Sequence, residues 1–214
     1  MAMTMDGKVT RPNGKWYGLS SQNDKFQMDF IRSQAEVLII GKNSIINDNP
    51  ITQIRYVKNS VNPIPIILIR TGVIPNDRNI FKNIDDKKPL VFCLENNSEN
   101  IKNELTNLVD IYCLKELNPI TVLKKIINLG YYKILLEGGP QLNYSFLKEN
   151  LVHKIHLTIV PFLIGKKDLP TIVDGNENFL NFDTKQWNLV SCKSQENEVF
   201  LEFENKIQTQ LSSS

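Results

Sequence analysis

The chain has 214 residues, of which 41% are hydrophobic and 22% charged, and its formal net charge at pH 7 is +2. This composition is that of a globular protein able to bury a core without disulfides or metals. It offers no concentrated basic face for nucleic acid, and no apolar run approaches the ~20 residues of a membrane span. Cys93, Cys113 and Cys192 lie in strand-like segments without paired spacing, so we expect reduced core thiols and a cytoplasmic protein.

The N-terminal residues predict little regular structure. Residues 1–10 could form a very short strand, which would break at the turn-forming pair Asp6-Gly7. A polar loop follows and carries Trp16 and Tyr17. Two aromatic side chains in a loop either stack on a planar ligand or cover the edge of the core, and the second arrangement is the commoner one.

A helix is predicted next, and Ser20 or Ser21 can cap it because a serine hydroxyl accepts a hydrogen bond from a first-turn N–H. The apolar positions that fit one face of this helix are Phe26, Phe30, Ile31 and Ala35. Arg32 lies on a different part of the helix, near its end, where a positive charge interacts favourably with the helix dipole.

Two aliphatic runs, 37–40 and 64–69, predict buried strands that end in polar residues. The first delivers Ser44 and Asp48, and the second is followed by Arg70-Thr71. An arginine and a hydroxyl at this position could hold a 2′-phosphate, or they could simply be solvated. Since ligands of open α/β sheets bind beyond the carboxyl ends of strands, the repeated arrangement predicts a binding cleft.

From Pro89 onward the pattern alternates between strands and helices. The predicted strands are 90–94 and 111–114, and the predicted helices are 98–109 and 119–129. The helix positions expected to face the core are Ile101, Leu105, Leu108, Ile120, Leu123 and Ile127. Repeated strand–helix units imply right-handed crossovers and a mostly parallel sheet.

The segment 133–147, KILLEGGPQLNYSFL, is the one around which the chain is organised. Its aliphatic run predicts a buried strand that ends near Glu137. Gly138 and Gly139 allow a sharp turn and a close approach to a ligand, and Pro140 suits the first turn of a helix. A helix N-terminus behind a glycine turn predicts an anion site, above all for phosphate, although a tight connection without a ligand is the alternative.

The C-terminal part changes pattern. Alternating apolar residues at 155–159 predict a strand, and 187–194 with 198–204 predict a hairpin. The hairpin residues expected to face the core are Val199, Leu201 and Phe203. We therefore predict an α/β fold whose mostly parallel sheet is extended by C-terminal antiparallel strands, in one domain over 1–207 with a frayed tail at 208–214.

Several kinds of chemistry find no support. His153 and His156 have no Ser or Cys motif around them, no cluster shows metal-ligand spacing, and the fingerprint G-x-G-x-x-G is absent. The remaining groups suit anions and polar rings: Ser44, Asp48, Arg32, Arg55, Glu137 and the 138–141 backbone. Such groups are sufficient for hydride transfer, in which the protein mainly aligns a cofactor with its acceptor.

Four motifs in order carry a family resemblance: MTMDGKVT, IRSQAEVLIIGKNSIINDNP, LLEGGPQLNYSFL and LVHKIHLTIVPFLIG. From about Met3 to Glu204 the chain strongly resembles the reductase domain of riboflavin biosynthesis, in its stand-alone archaeal and fungal type. The resemblance implies a dihydrofolate-reductase-like three-layer sandwich and a homodimer. It also implies that NADPH reduces the ribosyl group of a pyrimidine 5′-phosphate to a ribityl group.

The resemblance further implies roles for matching residues. The implied cofactor contacts are Ala2, beside the nicotinamide, Ser44, Asp48, and the pyrophosphate turn and helix that start with Gly138, Gly139, Pro140, Gln141 and Leu142. The implied substrate contacts are Arg32, Arg55 and Glu137, with Trp16 in a loop where further contacts are expected. Asp48 or Glu137 would manage the proton, or each could bind a substrate hydroxyl.

Three departures from the family pattern concern the substrate. The first strand is short, GKWYGLSS replaces the usual polar segment, and Asp29 stands where many members carry a histidine. An anion there would alter what the pocket accepts. Two alternatives stay open: a dihydropterin or dihydrofolate reductase of the same fold, with Trp16 and Tyr17 stacked on the pterin, and a non-catalytic nucleotide sensor.

Overall fold

The computed structural model describes residues 1–14, 19, 21–82, 87–179 and 186–206. The predictions for Trp16, Tyr17, Ser20 and the tail at 208–214 fall outside these ranges. The chain divides into two compact units, one made of Met1–Asp24 with Pro140–Ser214 and the other of Lys25–Gly139. The assignment of 1–207 to one domain stays a prediction.

The elements alternate between strand and helix over the middle of the chain, as the sequence predicts. In chain order they are β1 (Ala2–Thr4), α1 (Gln22–Arg32), β2 (Val37–Gly41), α2 (Lys42–Asp48), β3 (Ile64–Ile69), β4 (Leu90–Leu94), α3 (Ser98–Leu105), β5 (Asp110–Leu114), α4 (Pro119–Asn128), β6 (Ile134–Gly138), α5 (Pro140–Lys148), β7 (Lys154–Val160), β8 (Trp187–Gln195) and β9 (Glu198–Asn205). Short 3₁₀ turns lie at Asn79–Phe81 and Glu95–Asn97. Within the described ranges, none of the helices has the length and apolarity that crossing a membrane requires.

The unit Lys25–Gly139 contains a five-stranded parallel sheet in the order β5-β4-β3-β2-β6. The predicted aliphatic strands are confirmed, and the interior strand β2 is buried over Val37–Ile40. The strand β6, which the sequence predicted to be buried, lies at the edge of the sheet and is only half-buried over 134–137. Strands buried on both faces read as continuous apolar runs, which explains why the sequence revealed them. Of the three predicted core thiols only Cys93 is buried, because Cys113 lies on the edge strand β5 and Cys192 is exposed on β8.

Two helices of this unit differ from the predictions. Helix α3 ends at Leu105 rather than at 109, because Thr106 leaves the helical region and Asn107 has a φ of 65°. In α4, Ile120 and Ile127 are exposed, whereas Val122 and Ile126 are buried. This helix has apolar residues on more than one face, so its spacing alone selected the wrong face.

The unit Met1–Asp24 with Pro140–Ser214 contains a four-stranded sheet in the order β1-β7-β9-β8. Strand β1 pairs in parallel with β7, and the other pairs are antiparallel. The predicted hairpin is confirmed, with Glu196-Asn197 as its turn, but Val199, Leu201 and Phe203 are only half-buried. Among the described residues, the antiparallel strands belong to this second sheet, whereas the sequence predicted that they would extend the parallel sheet.

Candidate active site

Helix α1 buries charged side chains instead of its aromatic ones. Ser21 caps the helix by accepting a hydrogen bond from the N–H of Asp24 at 3.0 Å, as predicted. The predicted apolar face is wrong, because Phe26 is 51% exposed and Phe30 is 44% exposed. Asp29 and Arg32 are buried in their place. Buried charges are tolerated only when they are paired, so their partners define the site.

Arg32 and Glu137 form a bidentate ion pair. Arg32 Nε donates to Glu137 Oε1 at 2.6 Å and Nη2 donates to Oε2 at 2.9 Å, and the two side chains are 5% and 9% exposed. Burial opposes the charge on Arg32, but the facing carboxylates of Glu137 and Asp29 raise the pKa of Arg32 above its ordinary value. Arg32 therefore stays cationic and fixes the carboxylate of Glu137 in one orientation.

A β-bulge in β6 places Glu137 where Arg32 can reach it. Leu136 pairs with Ile39 and Gly138 pairs with Ile40, so Glu137 is the extra residue between two register positions. A bulge leaves its extra residue out of the regular pairing and re-aims that side chain. The strand thus delivers the carboxylate that the sequence predicted, through an irregularity that the sequence did not reveal.

Asp29 and Arg32 also hold the segment 51–56. Arg32 Nη1 donates to the carbonyl oxygen of Ile51 at 3.0 Å. Asp29 Oδ2 accepts hydrogen bonds from the backbone N–H groups of Arg55, at 2.6 Å, and Tyr56, at 3.1 Å. The side chain of Arg55 is 36% exposed, unlike that of Arg32 at 5%. Asp29 thus contacts both arginines, and Arg32 links it to Glu137.

Asp48 ends helix α2, a short helix in a segment where the sequence predicted none. Within the described residues its carboxylate has neither a hydrogen bond nor an ion pair, and burial raises its pKa to about 6. The next residue, Asn49, has a φ of 43° and accepts two hydrogen bonds from Asn79, at 2.7 and 2.8 Å. The end of α2 is thus held in place while Asp48 remains able to bind and release a proton near neutral pH.

Gly138 and Gly139 form a corner that leaves little room for a side chain. Gly138 has a φ of 87°, which favours glycine, and a Cβ built on Gly139 would lie 3.2 Å from Ser44 Oγ. Helix α5 starts directly afterwards at Pro140, so Gln141 and Leu142 lie in its first turn. First-turn N–H groups have no partner within the helix, so the start of α5 by itself suits phosphate oxygens.

Ala2 belongs to the other unit, where it pairs with Thr158 of β7. Asn143 of α5 donates from Nδ2 to the carbonyl oxygen of Ile172 at 2.8 Å, and the same nitrogen lies 3.6 Å from the sulfur of Met1. The start of β1 is therefore beside α5 within this unit. Trp16, the remaining predicted contact, lies outside the described residues.

Arg70 and Thr71 follow β3 on the surface. Arg70 Nη2 donates to the carbonyl oxygen of Leu117 at 3.1 Å, and Lys42 Nζ donates to that of Thr71 at 2.7 Å. Sequence reasoning missed Lys42, although its position directly after β2 was a usable signal. It also missed the contacts of Asp29, whose partners are distant along the chain.

Comparison with known proteins finds one family over nearly the whole chain. Residues 1–201 match the family described as the RibD C-terminal domain. Riboflavin biosynthesis protein RibD of Aquifex aeolicus is 27% identical over 165 residues, which cover 77% of this chain and 46% of the relative. The chain therefore spans about half the length of that relative.

A second relative is matched over most of its length. The 2,5-diamino-6-ribosylamino-4(3H)-pyrimidinone 5′-phosphate reductase of Methanothermobacter thermautotrophicus is 26% identical over 180 residues, which cover 81% of each protein. Among solved structures, a diaminohydroxyphosphoribosylaminopyrimidine deaminase/5-amino-6-(5-phosphoribosylamino)uracil reductase from Thermotoga maritima superposes with a TM-score of 0.81 at 20% identity, over 95% of this chain and 54% of that one. This likeness confirms the predicted fold.

Proposed function

We propose that this chain, which belongs to the RibD C-terminal domain family, is a reductase of riboflavin biosynthesis. Its substrate would be a pyrimidine ribosylamine 5′-phosphate, whose ribosyl group is reduced to a ribityl group with NADPH. The observation that carries the proposal is the cluster in which Arg32 fixes Glu137 while Asp29 holds the backbone of the more exposed Arg55. One carboxylate and one arginine at such a site suit a sugar phosphate.

The cofactor half of the proposal uses the corner at Gly138 and Gly139 with the first turn of α5. The family implies a nicotinamide cofactor, whose diphosphate would lie against the first-turn N–H groups of α5, as the sequence predicts. Ser44 stays a predicted cofactor contact. Arg70, Thr71 and Lys42 would receive a 2′-phosphate, which is the reason to propose NADPH rather than NADH. The cofactor, when bound, supplies the hydride for the reduction.

The substrate half assigns separate tasks to the two arginines. The more exposed Arg55 would bind the 5′-phosphate, whereas Arg32 would act through Glu137, because its guanidinium is already held by protein oxygens. Glu137 would accept hydrogen bonds from sugar hydroxyls. Contacts from Trp16 and the homodimer implied by the family resemblance stay predictions.

Asp48 is the better candidate for the proton. The open-chain form of a ribosylamine is an imine with a C1′=N bond. Its reduction adds a hydride to the sugar C1′ and a proton to the nitrogen, which turns the C=N bond into CH–NH. The pKa of Asp48 is raised to about 6 by burial, so this carboxyl can hold a proton near working pH. Both oxygens of Glu137 are engaged by Arg32, which favours a binding role for Glu137 instead.

The substrate assignment is tested by offering purified protein NADPH with either a pyrimidine ribosylamine 5′-phosphate or dihydrofolate. We expect NADPH oxidation and a ribityl product only with the pyrimidine, followed by absorbance and mass spectrometry. Turnover of dihydrofolate alone would overturn the proposal in favour of a pterin reductase. NADPH binding without turnover of either compound would favour a nucleotide sensor.

The proposed roles of Arg55 in binding substrate and of Arg70 in binding cofactor can be tested separately. Arg55→Ala should raise the KM for the pyrimidine about 10- to 100-fold, as loss of a charge-assisted phosphate contact does, and leave the Kd of NADPH within about twofold. Arg70→Ala, the matched variant, should weaken NADPH and leave the pyrimidine KM nearly unchanged. Equal effects of Arg55→Ala on both ligands would count against the assignment.

A further inference from the structure

The segment 51–56 has no regular secondary structure, and side chains outside the segment hold its backbone in place. Arg32 binds the carbonyl oxygen of Ile51, and Asn62 Oδ1 accepts a hydrogen bond from the N–H of Ile54 at 2.7 Å. Asp29 accepts hydrogen bonds from the next two N–H groups, those of Arg55 and Tyr56. The conformation of the segment thus depends on a few contacts, and Asp29 supplies those nearest to the side chain of Arg55.

Asp29 is a fully buried carboxylate whose two oxygens have different partners. Oδ2 accepts both backbone hydrogen bonds, and Oδ1 lies 3.4 Å from Arg32 Nη1. Its exposed fraction is 0%, so it presents no surface to a ligand. Burying a charge is unfavourable unless several donors compensate it, and two of the donors here belong to one short stretch of backbone.

The side chain of Arg55 starts from the backbone that Asp29 holds. Its guanidinium carbon lies 5.1 Å from the centre of the Tyr56 ring, and Nε lies 3.9 Å from Asp29 Oδ2. The two hydrogen bonds thus join the Asp29 carboxylate to the backbone of Arg55 and of Tyr56, whose ring lies beside the guanidinium. The side chain nevertheless keeps 36% of its surface exposed, which a ligand can contact.

We infer that Asp29 is a positioning residue for substrate binding, which holds the backbone of Arg55 and Tyr56 so that the Arg55 guanidinium meets the substrate phosphate. The inference rests on the proposed function only for the identity of that phosphate. The sequence suggested that an anion at position 29 would alter what the pocket accepts. Since Asp29 is inaccessible, it would exert this effect through Arg55.

Two substitutions separate the geometry of this anchor from its charge. Asp29→Ala removes both backbone hydrogen bonds and should raise the pyrimidine KM about tenfold, with kcat changed much less, because a displaced binding group weakens binding steeply. Asp29→Asn keeps one oxygen that can accept both bonds, so its KM should stay within about threefold of wild type. Equal KM losses in the two variants would overturn the inference.

A double-mutant cycle with Arg55→Ala distinguishes positioning from general destabilisation. If Asp29 acts through Arg55, adding Asp29→Ala to Arg55→Ala should change KM by less than about twofold, because coupled residues are not additive. Additive losses would contradict the inference. Asn118→Ala is the matched control, since Asn118 Oδ1 accepts a hydrogen bond from the N–H of Thr121 at 2.9 Å and caps α4; it should lower stability without changing KM.

Hydrogen exchange tests the anchor without any substrate. The amides of Arg55 and Tyr56 should exchange at least about tenfold faster in Asp29→Ala and at nearly the wild-type rate in Asp29→Asn. Unchanged exchange in Asp29→Ala would overturn the inference whatever the enzyme reduces. Faster exchange in a protein that does not turn over the pyrimidine would instead support the anchor and reject the proposed function.

Discussion

Two parts of the unit Lys25–Gly139, for each of which we propose a ligand, are formed by opposite means. The cluster of Asp29, Arg32 and Glu137 uses buried charged side chains whose positions depend on one another. The corner at Gly139, beside Ser44, uses backbone and the absence of a side chain. The cluster should therefore respond strongly to loss of the cation that its carboxylates share, and the corner to a change of volume.

The corner and the cluster should differ in how easily a substitution changes the ligand that each binds. A backbone corner binds any ligand with suitably placed phosphate oxygens, so its chemistry changes little when surrounding side chains vary. A side-chain cluster can change its ligand through one substitution that alters a charge. We therefore expect this chain to keep the cofactor of its family, and any departure from the family substrate to originate around Asp29.

The largest effect is expected when the buried ion pair is broken. Arg32→Met leaves the carboxylates of Asp29, fully buried, and Glu137, 9% exposed, without their shared cation, and should lower the free energy of unfolding by about 3–5 kcal/mol. Urea titration measures this loss. A variant that stayed within about 1 kcal/mol of wild type would show that the pair is not the organising contact of the cluster.

An exposed ion pair provides the control for that substitution. Lys154, 51% exposed, pairs with Glu202 at 3.1 Å and with Glu204 at 2.8 Å on β9. Lys154→Met should cost less than about 1 kcal/mol, because exposed pairs are weak and screened by salt. Similar losses in the two variants would mean that burial of the Arg32 pair adds nothing to its contribution.

Substitution of Asp48 should have a smaller effect than loss of the Arg32 ion pair. Asp48→Asn should lower activity and raise stability. Asp48→Asn removes the proposed proton donor and should lower kcat by about 100-fold. In wild type, kcat should fall as pH rises through about 6, where the raised pKa of Asp48 lies. A variant with wild-type kcat, or with the same pH profile, would assign the proton to another group.

The effect of Asp48 on stability follows from the direction of its pKa shift. Burial raises its pKa from 3.8 to about 6, so the folded state disfavours the charged form and loses stability as pH rises through that interval. Asp48→Asn removes this penalty and should stabilise the protein above pH 6 by on the order of 1 kcal/mol, a value discounted for partial solvent screening. Thermal melts across this pH range should show the gain disappearing towards pH 4.

The sequence predicted the strands of the parallel sheet well, because a strand buried on both faces is a continuous aliphatic run. Residues 37–40 and 64–69 needed no knowledge of their neighbours to be recognised. Helix α1 does not follow its own apolar spacing. Its spacing selected Phe26 and Phe30 as the core face, yet these are exposed while Asp29 and Arg32 are buried.

The reason is that burial of a charge is decided by partners distant in sequence. Arg32 and Glu137 are 105 positions apart, and Asp29 is 26 positions from Arg55. Periodicity within one helix carries no information about either contact, nor about the bulge that re-aims Glu137. The resemblance to a family named Arg32, Arg55 and Glu137 as a set, but only the structure shows which of them contact one another.

The smallest expected effect concerns the corner at Gly139, where volume alone should matter. Gly139→Ala places a methyl group 3.2 Å from Ser44 Oγ, so either atom must shift slightly; we expect about a 3- to 10-fold rise in the Kd of NADPH, equivalent to roughly 1 kcal/mol. Ser44→Gly alone should also weaken NADPH, because it removes a proposed contact. In the double variant, however, Ser44→Gly frees the space that the methyl group needs, so the combined loss should be smaller than the product of the two. Calorimetry with NADPH measures all three variants, and a fully multiplicative loss would show that Gly139 is required for something other than its small volume.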